Sequence, residues 1–117
     1  MTQYHEPAGE LSNKARDITR ALMSFKEEIE AVDWYNQRAD VCTDEQLKKV
    51  LEHNRDEEIE HACMTLEWLR RNMDGWDEEL KTYLFKESDI TELEEGEGEE
   101  GKEAPSEDES LNIRNIK

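Results

Sequence analysis

Glu58 and His61 stand three residues apart in a stretch with helical spacing, and Glu28 supplies a further carboxylate in an earlier one. On a helix each residue turns about 100° and rises about 1.5 Å, so Glu58 and His61 project from one face, about one turn apart. Carboxylate with imidazole is a donor set for a transition metal, suited to iron or manganese, whereas structural zinc more often shows thiolates. Helical bundles that hold a carboxylate-bridged metal pair use one Glu from each of two helices and a Glu-x-x-His pair from each of two others. This chain offers one copy of each part, which is half of such a site. No phosphate-binding glycine loop, no Gly-x-Ser-x-Gly elbow and no Cys/His nucleophile pair offers a competing chemistry.

The surrounding residues predict the elements that must carry these groups. Leu11, Ala15, Ile18, Leu22, Phe25, Ile29 and Val32 alternate steps of four and three, which predicts a long helix from Leu11 to about Asp40. A second helix is expected from about Asp44 to Asn72, capped by Thr43 with Gln46 completing a capping box. Arg70 and Arg71 suit its last turn, and Gly75 lies just beyond. Trp76, Leu80, Tyr83 and Leu84 fit one face of a short third helix ending near Phe85.

The stripe Leu47, Leu51, Asn54, Glu58, His61, Thr65, Trp68 is apolar at its ends and polar in the middle. A Glu and a His on a buried stripe are costly unless something satisfies them, and a cation would. Ala21, Phe25, Glu28, Val32 and Tyr35 form a matching stripe that Glu28 interrupts. So short a link, about Val41 to Thr43, makes the two long helices antiparallel neighbours. Glu28 lies 15 residues before Thr43 and Glu58 lies 15 after it. Both are therefore about 22 Å from the turn and level with each other.

Composition bounds what such a unit can do. The chain has 117 residues, 15 Lys+Arg against 32 Asp+Glu, and a formal charge of -17. That balance argues against nucleic acid, whose phosphates need basic residues, and against an anionic membrane surface. It favours cations, although acidity also serves solubility alone. Hydrophobic residues are 34% of the chain, so a large private core is not expected, and a lone hairpin needs oligomerisation or a metal. No apolar run approaches the roughly 20 residues that span a bilayer. No basic end followed by an apolar stretch opens the chain, so no secretory signal is expected. Cys42 and Cys63 have no metal-ligand spacing and read as ordinary small side chains of a reduced, cytoplasmic protein.

Four parts are expected: a polar arm 1–10, a helical domain 11–86, an acidic disordered linker 87–110, and a terminal segment 111–117. In the last, Leu111, Ile113 and Ile116 alternate with Asn112, Arg114, Asn115 and Lys117, the pattern of a docking peptide on a tether. Other groups keep two readings. Glu27 and Glu30 either gather cations or are ordinary exposed charges. His53, Glu57 and Glu60 form either a weak outer cation site or a surface ion network. Tyr35 is either a hydrogen-bonding or redox group beside the metals or a core tyrosine, and Trp34 packs at an interface.

The segments Lys26-Glu27-Glu28-Ile29-Glu30-Ala31-Val32-Asp33-Trp34-Tyr35-Asn36-Gln37 and 53–68, with Tyr4-His5-Glu6-Pro7 and Thr91-Glu92-Leu93-Glu94-Glu95, resemble the encapsulated ferritins. These are two-helix ferritin relatives carried as cargo in encapsulin nanocompartments, and the resemblance covers most of residues 4–95. It implies an all-α fold, a two-helix antiparallel hairpin with a short C-terminal helix, dimerising into a ferritin-like four-helix bundle. It implies that Glu28, Glu58 and His61 from two chains build a di-iron ferroxidase centre, two Fe per subunit pair, with Tyr35 close by. Ca2+ or Zn2+ is expected to be able to substitute for iron there. It further implies that Glu27 and Glu30 form a metal entry site, and that five dimers form an annular decamer. It places the chain in the encapsulin lumen in the cytoplasm, docked on the shell protein through Leu111 to Lys117. There the family's smaller central residues are replaced by Arg114 and Asn115. Two readings without redox turnover stand beside ferroxidase: an acidic helical adaptor or cargo protein, and a divalent-metal buffer.

Overall fold

The computed structural model describes residues 4–95. Among them all regular structure is helical: a short 3-10 turn Ala8–Glu10, then α1 (Asn13–Val41), α2 (Glu45–Asn72), α3 (Trp76–Tyr83) and α4 (Ile90–Glu95). The chain divides into two compact units, Met1–Asp74 and Gly75–Lys117. That boundary falls inside the span expected to be one domain.

In the first unit α1 packs along α2 as an antiparallel hairpin. Ser12 caps α1, its hydroxyl accepting from the Ala15 amide at 3.0 Å. The Arg16 guanidinium donates to the Ala8 carbonyl and ties the 3-10 turn to α1. The cap of α2 corrects the sequence expectation. Asp44, not Thr43, is the capping residue, and its carboxylate accepts from the Leu47 amide at 2.8 Å. Both residue types cap well; a carboxylate also gains from the positive end of the helix dipole. The register is further tied by Arg55, whose guanidinium donates across the hairpin to Asn36 Oδ1 at 3.1 Å.

At the other end of α2, Glu67 receives a fork of bonds from Arg70 at 2.8 Å and one from Arg71 at 2.6 Å. These hydrogen bonds, Arg70 first, lower the Glu67 carboxyl to about 2. The core of the hairpin is thin. Ala39, Ala62 and Leu69 are buried, while Ile29, Trp34, Val50, Ile59 and Met64 stay exposed.

In the second unit Gly75, at φ 103°, caps α3 in a conformation glycine adopts without strain. Phe85 takes the left-handed region at φ 62° just past α3, and Lys86 Nζ donates to the carbonyls of Lys81 and Thr82 at 3.0 Å. α3 packs on α4. α4 is a second correction: it lies inside the stretch expected to be linker. Asp89 Oδ1 accepts from the Thr91 and Glu92 amides at 3.0 and 3.2 Å, and Leu93 is buried. The linker beyond residue 95 and the peptide Leu111 to Lys117 lie outside the described residues.

Two predictions follow from the caps and the fork. Asp44→Ala should lower unfolding stability by about 1 kcal/mol in thermal melts, and Thr43→Ala by much less. Glu67 has a depressed folded pKa, so its contribution is present above the unfolded value near 4.5 and is lost as pH falls toward about 2. Glu67→Gln should therefore flatten the melting temperature across that window, and by less at high salt because the group is solvent-exposed.

Candidate metal centre

Glu28 on α1 faces Glu58 and His61 on α2. His61 Nδ1 lies 3.6 Å from Glu28 Oε1 and 3.5 Å from Glu58 Oε1. One ligand atom from each of the three residues lies within 4.8 Å of the others, and among the described residues this is the one His/Cys/Asp/Glu group so gathered. The i, i+3 spacing brings Glu58 and His61 together on α2, and the antiparallel register delivers Glu28 at their level. All three are half-buried: the Glu28 and Glu58 side chains are 25% exposed and His61 is 42% exposed. The site is thus open on one side, rather than enclosed as a fully buried stripe would be.

Its electrostatics are set by two carboxylates at close quarters. The Glu28 carboxyl is held above the ordinary carboxylate range, first by a hydrogen bond with Glu58 that requires a proton between them. Desolvation and the negative charge of Glu58 push the same way, and His61 opposes them. A divalent cation would do the work of that proton and satisfy both carboxylates at once. The donor set fits iron: two carboxylates and one imidazole fill part of its coordination sphere and leave positions open.

The other candidates sit as follows. Tyr35 is half-buried on α1, two turns from Glu28, with the Arg38 guanidinium 5.4 Å over its ring. Glu27 and Glu30 are exposed on α1 beside Glu28, and Trp34 is 53% exposed. Glu57 approaches two imidazoles, with Oε2 3.9 Å from His53 Nε2 and Oε1 3.9 Å from His61 Nε2. The link between Glu57 and His61 was not anticipated, although its signal, a carboxylate four residues before the histidine, is present in the sequence. Cys42 and Cys63 are free thiols outside the metal group.

Comparison with known proteins gives the family. The EncFtn-like family model matches residues 3–87. The chain belongs to that family, the encapsulated ferritins. It is 67% identical over 93 residues to a "Ferritin-like protein" of Thermotoga maritima, covering 80% of this chain and 82% of that one. It is 57% identical over 90 residues to an "Encapsulated ferritin-like protein" of Rhodospirillum rubrum, covering 77% of this chain and 64% of that longer relative. A crystal structure of a Nitrosomonas europaea protein superposes with a TM-score of 0.73 at 55% identity, covering 76% of this chain and 98% of that one. These relatives accord with the all-helical architecture built on two long antiparallel helices.

The carboxylate pair generates a test with opposite signs. A raised folded pKa gives stability at low pH that is lost as pH rises through it, so ionised Glu28 burdens the metal-free fold. Glu28→Gln should leave metal-free melting at neutral pH unchanged or raised. It should also abolish most of the stabilisation that Zn2+ or Mn2+ gives the wild type, as read in thermal melts with and without metal.

Proposed function

We propose that the protein is a ferroxidase: it takes Fe2+ as substrate and oxidises it with dioxygen to Fe3+ at a di-iron site shared by two copies of the chain. The observation that carries this reading is the converged triad of Glu28, Glu58 and His61, open on one side. One chain supplies three ligand residues, and a pair of irons needs about twice that. Ile29 and Ile59, the neighbours of Glu28 and Glu58, are 48% and 45% exposed. A second hairpin laid over the open face would complete the ligand set and cover these side chains, making a four-helix bundle from two chains.

In that centre Glu28 and Glu58 would hold the iron and neutralise its charge, and His61 would supply a nitrogen donor from each chain. Tyr35, from its half-buried position two turns along α1, serves as a hydrogen-bonding or redox group near the metals. Exposed Glu27 and Glu30 beside Glu28 form the entry site, concentrating Fe2+ from a solution that the acidic chain makes rich in cations. Assembly proceeds through dimers to an annular decamer. The relative in Rhodospirillum rubrum is named as encapsulated. By the same reading this chain lies in the lumen of an encapsulin compartment in the cytoplasm, held on the shell protein by Leu111 to Lys117. A ring of two-helix subunits encloses no large cavity, so the oxidised iron passes on for mineralisation in the compartment.

A metal buffer with the same ligands would bind Fe2+ without oxidising it, and an adaptor would do neither. Aerobic addition of Fe2+ should raise ferric absorbance at least tenfold faster with wild type than with Glu58→Ala. Equal rates would sink the ferroxidase reading, and binding without oxidation would favour the buffer. Because the site is shared, specific activity should collapse on dilution to monomer, and metal should favour assembly by mass action. Deleting Leu111 to Lys117 should abolish encapsulation on co-expression with a shell protein and leave oxidation intact.

A further inference from the structure

The two nitrogens of His61 face different groups. Nδ1 points at the metal group, 3.5 Å from Glu58 Oε1 and 3.6 Å from Glu28 Oε1. Nε2 lies 3.9 Å from Glu57 Oε1, outside that group. Glu57 is four residues before His61 and four after His53, so it divides its two oxygens between two imidazoles. A neutral imidazole that gives Nδ1 to a metal must carry its proton on Nε2, and that N–H needs an acceptor which fixes both the tautomer and the plane of the ring. Glu57 is the carboxylate within reach. Its side chain is 48% exposed, so it can close the roughly 1 Å to hydrogen-bond distance without disturbing a packed core.

We propose that Glu57 is a positioning residue for this centre: it accepts the Nε2 proton of His61 and so presents Nδ1 to the metal. Glu57 is not itself a ligand of the iron pair. His53 steadies its far oxygen, which keeps the near oxygen turned toward His61. The chemistry is that of a carboxylate, histidine and metal in line, in which the outer acceptor fixes the tautomer and the ring plane of the imidazole. This inference rests on the metal-centre reading above, and it adds a residue that holds a ligand rather than serving as one.

The test uses the full chain and Zn2+, a diamagnetic probe, with wild type, Glu57→Gln, Glu57→Ala and Glu58→Ala. Zn2+ affinity is measured by competition with a chromophoric chelator, and nitrogen spectra of labelled histidine report which ring atom of His61 holds the metal. Wild type should show zinc on Nδ1 and a protonated Nε2. Glu57→Gln keeps an acceptor without the charge and should stay close to wild type in both measurements. Glu57→Ala should weaken Zn2+ binding about tenfold or more and divide the His61 signal between two ring orientations. Zinc on Nε2 in the wild type would overturn the proposal. So would a Glu57→Ala protein that matches wild type, or a Glu57→Gln protein that loses as much as Glu57→Ala, since charge alone would then account for the effect. Glu58→Ala separates the two readings. If it loses Zn2+ binding and iron oxidation while Glu57→Ala keeps both, only the positioning role fails. If Glu58→Ala oxidises iron like wild type, the metal centre itself fails.

Discussion

The register of α1 against α2 is the constraint on which everything else rests. Glu28 meets Glu58 and His61 because two helices of nearly equal length run back along each other from a turn of a few residues. A slip of one residue would rotate Glu28 by about 100° and remove it from the shared face. The short link, the Asp44 cap and the bond from Arg55 to Asn36 all act against that slip. None of them touches the ligand group, yet each helps to decide whether the group exists.

The same hairpin is poor in core. A pair of helices has two faces to cover and only one partner each, and here, among the described residues of the first unit, only small Ala39 and Ala62, with Leu69, are buried. The chain places two carboxylates and an imidazole where a better-packed hairpin would have apolar side chains. Two carboxylates held together out of water disfavour ionisation, the direction in which Glu58 and burial push the Glu28 carboxyl. A cation between the carboxylates and a cover over the exposed apolar side chains, as proposed, would offset that cost. On the proposed reading, thin core and open ligand group belong together, because binding would supply stability that the lone hairpin lacks.

Much of this was legible in the sequence because it depends on periodicity. The four-and-three stripes located α1 and α2, and counting from the turn paired Glu28 with Glu58. What escaped depended on choices that periodicity does not make. Thr43 and Asp44 are adjacent and both can cap, and only backbone geometry decided for Asp44. α4 hid in an acidic stretch because its one buried apolar residue, Leu93, makes no stripe, although Asp89 ahead of Thr91 and Glu92 carries a capping signal. Glu58 and His61 were read as buried, yet each is half-open, because the spacing of a stripe says which residues share a face and not what covers it. Glu57 groups with His53 and Glu60 along a face, and the same i, i+4 spacing that pairs it with His53 also brings it to His61, a second partner that reading one face leaves out.

The half-open state has a consequence for what the site can be used for. A metal sealed by one chain leaves only when that chain unfolds locally, which suits a structural ion. A metal pair held between two chains, each offering three ligands, can be tight enough to organise oxidation and still exchange through the outer edge of the interface. The two carboxylates and the half-buried imidazole stand at that edge, where a cation could reach them from solvent. Reversible occupancy is what a turnover site requires and what a storage site avoids. The two-chain reading thus explains why the ligands sit at a surface that monomeric packing leaves uncovered.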